Sequence, residues 1–301
     1  MVKQPTKRSK HSQEIPQARI GIIGGSGLYQ MEILQDVREV SVATPFGPPS
    51  GKFILGILKG VPVAFLPRHG EGHTILPSEI NYRANIFAMK KLGVERILSV
   101  SAVGSMKEEI APGDVVIPDQ FYDLTKGRMS TFFGNGIVGH VSLADPVCPE
   151  LTEVVSMAGQ DAGATLHRRG IYLCMEGPQF STRAESEIHR SWRVSVIGMT
   201  NATESKLARE AEICYVTMAL ATDYDCWHVG EGPVTAEMVL KTLRENVALS
   251  KRIIQSAVGR IDINRNCLCA EALSNAIITS PPSIPKKLKR DLKPLIGKYF
   301  S

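Results

Sequence analysis

The stretch ICYVTMALATDYDCW, Ile213 to Trp227, constrains the fold more than any other part of the chain. Residues 213–222 carry no charge, and two carboxylates, Asp223 and Asp225, then follow with an aromatic between them. A short apolar run rich in Val, Thr and Tyr predicts a strand buried on both faces, which requires helices on either side of its sheet. Ligands of open α/β sheets sit just beyond the carboxyl ends of such strands, where these acids fall. Residues two apart on an extended chain point to one side, so both acids are expected to face one ligand. The plainer reading is that they cap the helix that follows.

The rest of the chain alternates strand and helix signals. Residues 20–23 predict a strand feeding the turn Gly24-Gly25-Ser26-Gly27. Residues 53–58 and 61–67 read as a hairpin through Lys59-Gly60. Helical spacing over 78–92 has Ser78 as cap and Gly93 as stop. Strands are expected at 97–100 and 115–117, then a long glycine-rich surface loop over 126–141. Beyond it come a helix at 151–162, a strand at 170–175 and a helix opened by the capping box Thr182-x-x-Glu185. A strand at 194–199, a helix through Ala211 and a long helix at 235–260, with Val239, Leu243 and Val247 in register, complete the pattern. The fold class is α/β: a single domain with a central mixed β-sheet flanked by helices. Residues 1–19 are expected to be a disordered basic tail, 20–261 the domain, and 262–301 an extension without assigned structure.

Composition narrows the function. The formal charge of +5 is concentrated in the two ends of the chain, leaving the middle near neutral, so nucleic acid is not the expected partner. No stretch reaches the ~20 apolar residues of a membrane span. The N-terminus has charge but no apolar core of a signal peptide, so a cytoplasmic protein is expected. Six cysteines in 301 residues do not make a disulfide scaffold. Cys148, Cys174, Cys214 and Cys226 read as small core residues. Cys267-x-Cys269 reads as an incidental pair, with redox or metal chemistry as the alternative.

Residues just past the strand ends divide into two sets. Gly24 to Gly27, Arg68, His69, Ser101, Ala102 and Thr200 offer backbone amides, hydroxyls, an imidazole and a guanidinium fork, a donor set suited to phosphate. Phe180, Asp223 and Asp225 offer an aromatic face and carboxylates, which suit a purine carrying N–H donors. A sugar fits between them. Taken singly each piece is weak: the glycine turn lacks the third glycine of a dinucleotide fingerprint and the lysine of a P-loop. His69 and His73 do not have the spacing of a zinc helix, Phe180 alone reads as core, and no metal is expected.

Together with IGIIGGSGLY, TPFGPPSG, LPRHGEGHTILPSEINYRANI, SAVGS, PGDVVIPDQF, MEGPQFSTRAE and ATDYDCW, this order of motifs resembles the 5′-methylthioadenosine phosphorylases of the trimeric purine nucleoside phosphorylase family. The resemblance spans residues 19–260. It implies phosphorolysis, with inorganic phosphate as co-substrate, no cofactor, and a homotrimer or a hexamer of two trimers. It places Ser26, Arg68, His69, Ser101, Ala102 and Thr200 at the phosphate, Phe180 beside the base, and Met199 under the ribose. Asp223 and Asp225 become the catalytic, adenine-reading pair. His140 is implied as a residue lent across a subunit boundary, and Ala236, Val239 and Leu240 as the pocket for the methylthio group. Asn201-Ala202-Thr203-Glu204 departs from the family's Val-Pro before the Glu, and affects the ribose end. A carboxylate suits the 6-amino group of adenine, whereas relatives acting on 6-oxopurines have Asn in place of Asp223.

Four rivals follow from the same residues. A broader purine nucleoside phosphorylase (methylthioinosine, inosine, guanosine or adenosine) conflicts with the paired acids and the apolar face on the last helix. A nucleosidase using water has little use for Arg68 and the hydroxyls. A nucleotide sensor binds without turnover, and an oxidoreductase conflicts with the incomplete fingerprint.

Overall fold

The computed structural model describes residues 18–25, 28, 33–228, 234–262 and 264–300. In chain order the strands are β1 (Ile20–Gly24), β2 (Gln35–Val40), β3 (Phe53–Leu58), β4 (Val61–Pro67), β5 (Arg96–Ser105), β6 (Val115–Ile117), β7 (Gln120–Asp123), β8 (Leu166–Arg168), β9 (Ile171–Cys174), β10 (Val194–Gly198) and β11 (Cys214–Asp223). The helices are α1 (Tyr82–Lys91), α2 (Pro149–Asp161), α3 (Arg183–Ser191), α4 (Asn201–Glu210), α5 (Ala236–Arg260), α6 (Lys286–Asp291) and α7 (Lys293–Ile296).

β5 is the strand on which the mixed sheet turns. Residues 96–99 pair in parallel with β1, while Gly104 and Ser105, farther along, pair antiparallel with β10. β11 runs parallel to β5 along almost its whole length, from Cys214 opposite Arg96 to Asp223 opposite Gly104. All ten residues of β11 are buried, as its apolar run requires. The β3–β4 hairpin turns on Lys59 and Gly60, both at positive φ, which matches the strand twist.

Alternate residues of the central strands feed two cores. Ile23, Leu66, Ile97 and Tyr215 pack toward α1, α4 and the C-terminal segment, whereas Ile22, Phe65, Leu98 and Val216 pack toward α2 and α5. Each fully buried aliphatic side chain contributes about 1.5–3 kcal/mol.

Several expectations need correction. α1 begins at Tyr82, not near Ser78, because the Asn81 side chain accepts the Ala84 N–H and also donates to the Phe46 and Pro48 carbonyls. β2, β7 and β8 carry no strand signal in the sequence: they are short or polar and owe their conformation to pairing at the sheet's margins. Ala18 and Arg19 do not belong to a loose tail, since their amides bond to the Leu92 and Pro62 carbonyls. The segment after Ile261 is structured. Its Leu273, Ala276, Ile284, Leu292, Leu295 and Ile296 are buried in the core that holds Phe87 and Ile97. Prolines cut that segment into pieces too short to display a period. Residues 1–17 and the side chain of Leu243 lie outside the described residues.

The cysteines divide in a way the sequence does not reveal. Cys174 is core, whereas Cys267 and Cys269 come together with Cys148 and Cys214. Among the described residues no helix is long and apolar enough to cross a membrane.

Candidate active site

Parallel β1 and β4 end near the level of Ser99 on β5, and β5 and β11 continue together past that edge to Gly104 and Asp223. Arg68 is the first residue beyond β4, and its amide bonds to the Gly24 carbonyl at the end of β1. Its guanidinium is buried and turned inward. Nε donates to Glu204 Oε1 at 2.5 Å, Nη1 to the Val100 carbonyl at 2.7 Å, and Nη2 to Ser99 Oγ at 2.6 Å and Glu204 Oε2 at 3.1 Å. Burial works against the cation, but the Glu204 carboxylate more than offsets it and raises the Arg68 pKa. The guanidinium fork expected to grip phosphate is therefore occupied by Glu204. Four of its five N–H groups are engaged, leaving one on Nη1.

Glu204 also accepts from Ser99 and from the Tyr215 hydroxyl at 2.8 Å, and Asn201 Nδ2 lies 2.8 Å from both Tyr215 Oη and Thr217 Oγ1. Residues 201–204 form the buried first turn of α4. Asn201 and Glu204 belong to the polar network that holds Arg68, which explains why this turn carries polar residues.

Thr200 stands at the N-cap of α4, buried, with its hydroxyl turned to Asn201 rather than to the helix amides. The helix's N-terminal amides and dipole favour an anion there. Ser101 Oγ is buried and has no hydrogen-bond partner among the described residues. His69 places Nδ1 2.9 Å from the Ile75 carbonyl and stacks on His73 at 4.3 Å between centroids. Burial first, and the Arg68 charge second, lower its pKa to about 4, so the ring is neutral near pH 7. This end of the site presents neutral donors around a charge-compensated arginine. Ser26 lies outside the described residues.

The two acids meet differently from the extended-chain expectation. β11 ends at Asp223, and Asp225 adopts a positive φ of 53° in the following turn, a conformation Asp tolerates. Asp223 accepts from Thr222 Oγ1 and from the Asp225 amide, both at 2.8 Å, and Asp225 accepts from Ser186 Oγ at 2.6 Å. Both carboxylates are buried. Gly104 permits the approach: a Cβ there would lie 3.0 Å from Asp223 Oδ1. In register, Ser101 lies opposite Ala219 and Gly104 opposite Asp223. Three strand residues separate these levels, ~10 Å at about 3.3 Å each. That is roughly the span from a nucleophile at C1′ to the far edge of a purine.

Phe180 is 40% exposed and so is not the core residue a lone aromatic suggests. Met199 is half-buried against Gly177. Arg128, which sequence reasoning missed, donates to Glu176, to the Glu176 and Met199 carbonyls and to Tyr82, tying the 126–141 loop to the edge of the site. An arginine inside a glycine-rich loop is the only signal it left. Ala236 and Leu240 are exposed and Val239 half-buried on the first turns of α5. His140 is exposed on the long loop, its amide bonded to Ala276. The structure thus places Ser101 and Ala102 on β5, Asp223 at the end of β11, Arg68 and His69 just past β4 and Thr200 before α4, and leaves His140 on the outside of its own chain.

A mixed sheet with buried polar donors and paired acids just past its strand ends is the setting in which α/β enzymes hold their ligands. The family model of the phosphorylase superfamily matches residues 19–259, and the chain belongs to that superfamily. It is 61% identical to an S-methyl-5′-thioadenosine phosphorylase of Geobacter sulfurreducens, over 93% of this chain and 98% of that one. It is 57% identical to the Koribacter versatilis protein of the same name, over 94% and 97%. Among solved structures, a methylthioadenosine phosphorylase from an antarctic soil metagenomic library superposes with a TM-score of 0.89 at 49% identity, over 93% of this chain and 99% of that one. The Schistosoma mansoni methylthioadenosine phosphorylase in complex with adenine gives 0.81 at 36%, over 86% and 98%.

Proposed function

We infer that this protein catalyses the phosphorolysis of 5′-methylthioadenosine to adenine and 5-methylthioribose 1-phosphate. The observation that carries this reading at the level of the site is the placing of two buried acids at the end of β11, ~10 Å along the sheet from the unpartnered Ser101 hydroxyl. Relatives with this name, at 57–61% identity and near-full coverage, support the substrate.

In this reading phosphate sits on Ser101, Thr200, His69, the Ala102 backbone and Ser26, at the N-terminus of α4, with Arg68 fixed behind it. One phosphate oxygen attacks C1′ as the C–N bond breaks. The dianion is both nucleophile and counter-charge to the developing oxocarbenium, so positioning supplies much of the rate. Asp223 and Asp225 read the 6-amino group and supply the proton that lets the base leave through N7. Phe180 stacks on the purine, Met199 underlies the ribose, and Ala236, Val239 and Leu240 receive the thioether. His140 reaches a neighbouring subunit's substrate in a trimer or a pair of trimers. The enzyme is cytoplasmic in this reading, with no cofactor beyond inorganic phosphate.

One assay tests it: release of base from methylthioadenosine and methylthioinosine, with and without phosphate. Rapid adenine release that depends on phosphate is expected, with methylthioinosine much slower. Release independent of phosphate would establish a nucleosidase instead.

A further inference from the structure

Four of the six cysteines converge far from this site. Cys148 occupies the N-cap of α2, and Cys214 opens β11. Cys267 and Cys269 bracket Leu268 at the start of a short 3-10 turn, Leu268–Glu271. Their four Sγ atoms all lie within 4.8 Å of one another, with Cys214 and Cys267 at 3.3 Å. We propose that Cys148, Cys214, Cys267 and Cys269 form a tetrathiolate site for a structural zinc ion.

The geometry separates this from the two plainer readings. Single buried cysteines commonly pack as small apolar residues, and Cys174 does so. Four sulfurs drawn from three separate segments into one shell is a different arrangement. Disulfides need a pair at about 2.05 Å and place no constraint between pairs. A tetrahedral site with Zn–S near 2.3 Å needs all six S···S separations to be similar, roughly 3.8 Å. The six separations here, from 3.3 Å between Cys214 and Cys267 to no more than 4.8 Å, bring all four sulfurs within reach of one such shell, whereas a disulfide asks for closeness within one pair alone.

The surroundings agree. Backbone bonds fix two ligands: the Cys148 amide to the Tyr215 carbonyl and the Cys214 amide to the Glu95 carbonyl. Cys148, Cys214 and Cys269 are buried among Ile254, Val258 and Ala158, while half-buried Cys267 leaves a path for the ion. Cys214 is nine strand residues from Asp223, ~30 Å along β11. The ion therefore has no part in the chemistry. With four protein ligands and no open position it clamps 262–300, which fills the core beneath α1, onto the opposite edge of the sheet.

The test uses the full chain purified without chelator in reducing buffer. Metal analysis should give about one zinc per chain, released when a mercurial titrates the thiols. Cobalt reconstitution of the apoprotein should show the visible bands of tetrahedral cobalt thiolate. Cys267→Ser, at the most accessible ligand, should lower zinc affinity at least tenfold, and the paired change with Cys269→Ser should abolish binding. Retained phosphorolysis at low temperature reports that each variant has folded. Reduced apoprotein that takes up neither zinc nor cobalt, or non-reducing peptide maps with these four cysteines joined as disulfides in the isolated protein, would overturn the proposal.

Discussion

Arg68 and Glu204 form a buried ion pair, 2.5 Å between Nε and Oε1, with side chains 3% and 2% exposed. Removing one partner of such a pair leaves a charge without compensation and costs about 3–5 kcal/mol. Glu204→Ala is expected to lose that much in urea unfolding and to raise the KM for phosphate. Glu204→Gln keeps an acceptor and should fall between. An unchanged midpoint for Glu204→Ala would mean that Arg68 finds its counter-charge elsewhere.

Ser101 points the other way. A buried hydroxyl without a partner costs about 1–3 kcal/mol, so deleting it removes a penalty rather than a bond. Ser101→Ala should be as stable as the parent or more so, yet bind phosphate about tenfold more weakly. Thermal unfolding beside phosphate-dependent kinetics separates the two effects, and a destabilised variant with normal phosphate KM would contradict them.

Asp223→Asn replaces by a donor one acceptor oxygen of the acid proposed to read the base. Acid–base and base-reading terms together make a loss of about 10²–10⁴ in kcat/KM for methylthioadenosine the expected result. The ratio of methylthioadenosine to methylthioinosine should shrink with it. An unaltered ratio would remove Asp223 from base reading.

His69 links stability to acid. Its folded pKa of about 4 lies below the unfolded value of 6.5, so the unfolded chain binds the extra proton first. The neutral ring's stability is complete above about pH 6.5 and is lost as pH falls toward 4, by on the order of 3 kcal/mol at most. His69→Gln should flatten this part of the stability–pH curve, measured by urea unfolding at several pH values. His73, also lowered by burial and by Arg68, should leave a smaller residual slope.

Phe180 is exposed, so Phe180→Ala should change stability by no more than about 0.5 kcal/mol. Loss of stacking on a base is worth about 1–3 kcal/mol, a rise in nucleoside KM of roughly ten- to a hundredfold. Equal KM values would place the base elsewhere.

Much of the fold was legible because it rests on local rules. The uncharged run of β11, the Lys59-Gly60 hairpin and the Thr182/Glu185 capping box each announce themselves within a few residues, and all three stand as read. The candidate site was legible as a set of residue types beyond strand ends, since the sheet's topology brings those ends together. The chain did not disclose which way the side chains turn. Arg68 looked like an open fork, but a carboxylate 136 residues away claims it. Asp225 looked coplanar with Asp223 until the strand ended between them. The four cysteines stand as unrelated residues in the sequence, because only the docking of the Cys148 amide on the Tyr215 carbonyl of β11 and the packing of the last forty residues draw their sulfurs together. Periodicity and turn chemistry act between neighbours and are written in the sequence. Ion pairing, burial of polar groups and ligand convergence act across space, so the tertiary structure alone decided them.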